Sequence, residues 1–98
     1  MLAYFQHLAG YNAWANQRIY AAAAQLTHEQ VWRDTGLFFG SLGGTLNHIL
    51  VADRVWMKRF TGEGDHPSTL NAILHHDLAD LRAAREAEDR RIIAYASS

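Results

Sequence analysis

The segment SLGGTLNHILVADRVWMKRFTGEG, Ser41 to Gly64, most limits what this chain can become. Both of its ends carry helix signals. Ser41 is a suitable N-cap, because its hydroxyl can accept from a backbone N–H left orphaned in the first turn. Gly62 can take the left-handed conformation that stops a helix. Between them Leu42, Leu46, Ile49, Trp56 and Phe60 form an apolar stripe at helical spacing. Leu50 and Met57 widen it on one flank, Ala52 and Val55 on the other. A helix apolar over that much of its circumference expects neighbours on several sides. Asn47, Arg54 and Lys58 lie opposite the stripe and are expected to be solvated.

Two further segments share the helical period. From about Leu2 to Gln25, the residues Tyr4, Leu8, Tyr11, Ala15, Ile19, Ala22 and Leu26 recur every three or four positions. They predict a buried face for a first helix. Thr27 with Gln30 matches a capping box opening a short turn, Thr27 to Arg33. A third helix is expected to begin near Ser68 or Thr69 and to run to the end. Leu70, Leu74, Leu78, Leu81, Ala84, Ile92 and Tyr95 mark its buried face. Arg85/Asp89 and Glu86/Arg90 are opposite charges four residues apart, each stabilising by about 0.3 kcal/mol on an exposed helix. No alternating strand pattern, repeat or low-complexity tract occurs, so the expected class is an all-α helical bundle. The third helix ends on apolar residues, Ile92 to Ala96, without a closing cap. Together with the breadth of the second helix, this leads us to expect a fourth helix, absent here or supplied by another copy of the chain.

Composition narrows the function. Ninety-eight residues make one small domain, able to bury roughly 65% of its unfolded surface. With a net charge of −1 and intermixed signs, no phosphate-binding surface is expected, and hence no nucleic-acid partner. The absence of cysteine removes disulfides, thiolate metal sites and cysteine nucleophiles. The N-terminus lacks the pattern of a signal peptide, and no run reaches the length of a membrane span. A cytoplasmic location is the expectation, with no membrane partner.

Among six histidines, His48 is the sharpest candidate for chemistry. It flanks the apolar stripe of the second helix, where an imidazole can enter the space between helices as a metal ligand. The alternative is a boundary histidine bonded to a carbonyl or water. Asp53 falls on the stripe between Ile49 and Trp56, where a carboxylate is costly unless paired. It is either an inter-helix partner for Asn12, Asn16, Arg18 or Arg85, or a group near a metal. Arg85 and Glu88 also fall near a buried face, as inter-helix contacts or facing the slot of the absent helix. His75 and His76 are adjacent and diverge by about 100° on a helix, so they cannot easily share one ion. His7 and His66 are expected to be solvated. Tyr11, Trp14 and Trp56 read as core aromatics. Ser41 lacks a nucleophile elbow, and Gly43-Gly44 lacks the flanks of a phosphate loop.

The order of Y-N-x-W-A-N (Tyr11 to Asn16), S-L-x-x-T-L-N-H-I-L-x-A-D-x-x-W (Ser41 to Trp56) and L-R-A-A-R-E-A-E-D (Leu81 to Asp89) resembles the DinB/YfiT-like metalloenzyme family over nearly the whole chain. That resemblance implies a four-helix bundle with zinc or nickel held by three residues near one end. It implies His48 as one ligand, the other two lying beyond Ser98 on a later helix. It also implies a thiol-dependent transferase or isomerase, or a hydrolase, acting on small molecules, with a low-molecular-weight thiol as a partner. The 1–98 domain is then expected to be incomplete at its C-terminus and inactive unless a homodimer rebuilds the site. The alternative is a non-catalytic helical dimerisation or binding module in which His48 is structural.

Overall fold

A computed structural model describes residues 2–36, 38–64, 69 and 72–97. His66, expected to be solvated, and Ser68 and Leu70, expected at the start of the third helix, lie outside the described residues. The elements are α1 (Leu2–Ala23), α2 (His28–Trp32), α3 (Leu42–Thr61) and α4 (Leu78–Ala96). The chain is an all-α helical bundle. Its main packing joins α1 to α4, α3 to α4, and the short α2 to α3.

The boundaries of α2 and α3 follow from local chemistry. The Thr27 hydroxyl accepts from Gln30 N, and the Gln30 side chain accepts from Thr27 N, completing the capping box. The Ser41 hydroxyl accepts from Gly44 N at 3.0 Å. At the other end Gly62 stands at φ 75° and donates its N–H to Lys58 O, the left-handed stop expected of it.

The start of α4 departs from expectation. Residues 72–77 are not helical, and α4 begins at Leu78 behind the N-cap Asp77. The cause is Asn47, which is fully buried rather than solvated. Its side-chain oxygen accepts from Leu74 N at 2.8 Å and from His75 N at 3.1 Å. Its amide nitrogen donates to His75 O at 3.1 Å and to Gly43 O at 2.8 Å. These bonds divert backbone groups that a helix would need for its own ladder. Leu74 still packs on the core, but from this crossover segment.

The core comprises Tyr20, Leu46, Leu50 and Leu81, with Leu42, Leu74, Leu78 and Ala84 packed against it. Here α1 corrects the sequence reading. Its buried residues are Ala9, Ala13, Tyr20 and Ala23, roughly 120° around the helix from the larger apolar stripe. Tyr4, Leu8, Tyr11, Ile19 and Leu26 of that stripe are exposed, as are Trp14 and Trp56. Three of the four buried residues are alanines, with Tyr20 the one bulky side chain among them. On α3 the stripe divides: Leu46 is buried, while Ile49, Trp56 and Phe60 are exposed.

Tyr20 is 1% exposed, and its hydroxyl finds no hydrogen-bond partner among the described residues. Burial pushes its phenol up to about 12; Arg85 opposes the rise and Asp89 adds to it. A pKa raised by folding contributes stability that is complete below the unfolded phenol's value of 10.0 and is lost as pH climbs towards about 12. Two pH units correspond to about 2.7 kcal/mol. In urea titrations between pH 9 and 12, Tyr20→Phe is therefore expected to flatten the alkaline decline. An unchanged decline in the variant contradicts this assignment.

Candidate functional site

Two places on α3 bring chemistry-bearing side chains together. Five residues separate them, which is about 140° around the helix, so they face different sides of the bundle.

The first is His48, half-buried near the start of α3. Its ring lies flat on Phe39, with centroids 3.9 Å apart and planes at 17°. Phe39 is delivered by the turn that precedes the Ser41 cap. Its carbonyl accepts from Ser41 N and lies so close to Gly44 that a Cβ there would stand 2.2 Å from it. Gly43 likewise leaves room for the Trp32 ring of α2, which a Cβ would meet at 2.4 Å. The two glycines therefore serve close packing at the start of α3, Gly43 against Trp32 and Gly44 against Phe39, the residue that stacks on the imidazole. Among the described residues no group of three or more His, Cys, Asp or Glu side chains is placed to hold a metal ion. His48 can supply one ligand, and the described residues do not form a complete set around it. His76 is exposed and tilts against Trp32, whose other neighbour is His28. His75 is held through its backbone by Asn47. Phe39 is not legible from sequence as the partner of His48, because ring stacking across a turn leaves no periodic signature.

The second place is a buried ionic cluster. Arg85 is 1% exposed. Its Nη2 donates to Asp53 Oδ2 at 2.6 Å and lies 2.8 Å from Asp89 Oδ1, while its Nε donates to Asp89 Oδ1 at 3.0 Å. Asn16 of α1 donates to both Asp89 oxygens at 3.2 Å. Three helices thus meet through four polar side chains. Burial pushes the Asp89 carboxyl above its ordinary value, against the opposing pull of Arg85 and Asn16. Of the partners open to Asp53 from sequence, the structure selects Arg85. Arg85/Asp89 is a buried pair rather than a surface one, and Glu86 pairs with Arg82 rather than Arg90. Glu88 is also buried and pairs with Arg91, which reaches back to Thr61 and the Glu63 carbonyl at the end of α3.

With three long helices and polar cross-links between them, the class is an all-α helical bundle. The DinB family profile matches residues 1–98. The chain belongs to the DinB family. Over 53 residues it is 32% identical to Protein DinB of Bacillus subtilis (strain 168). That alignment covers 54% of this chain and 31% of the relative, so it spans less than a third of the relative's length. No solved structure matches significantly. Among the described residues no helix is long and apolar enough to cross a membrane.

Proposed function

We propose that this chain supplies the scaffold and one ligand, His48, of a divalent-metal-dependent enzyme acting on small molecules. The reaction type is a thiol-dependent transferase or isomerase, or a hydrolase, with zinc or nickel as the metal. The observation that carries this reading is the imidazole of the T-L-N-H stretch, set flat against Phe39 on a family scaffold that matches the full 98 residues. A ring held in one orientation gives up little freedom when it ligates, which favours binding. One histidine leaves most of the coordination sphere to water, so further ligands must come from outside the described set. A homodimer is one source of them. The second reading, a non-catalytic dimerisation module, draws on the exposed stripe of α1, since such a face is characteristic of interaction surfaces.

Native mass spectrometry of the chain, with and without zinc or nickel, separates the two readings. The metal reading expects a metal-retaining species whose metal is lost in His48→Ala at unchanged thermal stability. Metal retained by His48→Ala contradicts it.

A further inference from the structure

The bond that joins a histidine ring to its Cβ turns over broad wells, so rotamer preference alone leaves the plane of an imidazole loosely set. On α3 a neighbour sets it. The His48 and Phe39 rings lie with centroids 3.9 Å apart and planes at 17°, and both residues are half-buried. An imidazole ligates a metal ion through a ring nitrogen, in the plane of the ring. A ring stacked on its face therefore restrains that plane without occupying the ligating edge.

Phe39 is itself held by the turn that carries it. Its carbonyl accepts from Ser41 N–H at 3.1 Å, and the carbonyl of the next residue, Gly40, accepts from Thr35 N–H at 2.8 Å. Gly40 stands at φ 85°, a conformation that a residue with a Cβ rarely adopts. The Phe38 ring meets Phe39 edge-on, with centroids 4.8 Å apart and planes at 75°. The turn is closed through its backbone, and Phe39 leaves it from a defined position. The two stacked rings and the bonds that close the turn all lie within residues 35–48, so the stack is made whichever residues complete the ligand set.

We propose that Phe39 is a positioning residue, which orients the His48 imidazole for ligation and so raises the affinity of this site for a divalent ion. The inference rests on the reading of His48 as a metal ligand. Phe39 carries no donor atom, so it acts through His48, by removing in advance the orientational freedom that ligation would otherwise take away. What it contributes is an aromatic face, so another aromatic ring can replace it and an aliphatic side chain cannot.

The probe is zinc alone, titrated into the 98-residue chain and read by NMR on the ring protons of His48. Before zinc is added, the ring current of Phe39 should displace those protons upfield, and Phe39→Leu should remove the displacement. Phe39→Leu is expected to weaken zinc binding about threefold to tenfold, less than the loss of a hydrogen-bonded outer partner of a ligand. Phe39→Tyr keeps the aromatic face and should restore both the displacement and the affinity, the latter to within twofold of the unaltered chain. Amide shifts along α4 should be unchanged in both variants, which separates an effect on His48 from a general loss of packing. Zinc retained by His48→Ala, or no zinc bound by the unaltered chain, overturns the ligand reading and this inference with it. If zinc is lost in His48→Ala while Phe39→Leu binds it as tightly as the unaltered chain, the role of Phe39 alone is overturned. The same follows if the His48 protons of the unaltered chain show no ring-current displacement, or if Phe39→Tyr fails to restore what Phe39→Leu loses.

Discussion

Arg85→Ala is expected to lower the stability of the chain by about 3–5 kcal/mol, the range for removing one partner from a buried ion pair. For a domain of this size that is a drop in melting temperature of more than about 10 °C. The size of the effect comes from what is left behind. Asp89 is 5% exposed and would keep only the Asn16 amide as a partner. Its carboxyl, already pushed up by burial, loses the cation that holds it down, so it moves further up. Asp53 would lose its bond from α4 at the same time. Replacing the cluster as a whole behaves differently. Arg85→Met combined with Asp89→Leu and Asp53→Leu removes the charges together, and buried ion clusters exchanged for apolar groups are often neutral or stabilising. The expected outcome is a triple variant more stable than Arg85→Ala by urea titration. A single variant that melts within 2 °C of the parent protein contradicts the cluster as described.

Asn47→Ala is expected to cost about 2–4 kcal/mol, from several buried polar groups each worth about 1–3 kcal/mol when left without a partner. The backbone N–H groups of Leu74 and His75 would lose their acceptor and the His75 carbonyl its donor, while Gly43 O, inside α3, loses only a second donor. The damage should be local as well as global. Amide hydrogen exchange at Leu74 and His75 is expected to rise by more than an order of magnitude beyond the general increase, because the crossover segment would lose its anchor to α3. Asn47→Asp keeps the acceptor and loses the donor, so it should protect those two amides better than Asn47→Ala. Uniform exchange across 72–77 in both variants would show that the segment is held by something else.

These two residues show where the sequence was legible. Helix ends were readable because capping is local: Thr27 with Gln30, Ser41 and Gly62 each act within four residues of themselves. The polar cluster was half-readable. A carboxylate on an apolar stripe must find a partner, and Arg85 was one of the few cations near a buried face. Its second carboxylate, Asp89, was hidden because four-residue spacing fits an exposed pair equally well. Asn47 was misplaced because its burial depends on a crossover segment that returns to α3 across 27 to 28 residues, and no local period encodes that return. The face of α1 was misjudged for a related reason. Hydrophobic periodicity finds where large apolar side chains lie, and here the buried face is made by Ala9, Ala13, Tyr20 and Ala23. The larger stripe stays exposed. His48 stands out as a candidate from its neighbours in sequence, while Phe39, whose ring stacks on it, is visible only in the structure.

The most direct test of the account is a zinc titration of the chain followed by NMR of the backbone amides and imidazoles. If His48 is the metal ligand, the earliest shifts fall on the His48 ring and on Phe39 and Gly44 beside it. Asp53, His75 and His76 should remain unmoved at the same metal concentration. Shifts centred on His75 and His76, with His48 unchanged, would contradict the assignment of His48 as the ligand that this scaffold presents.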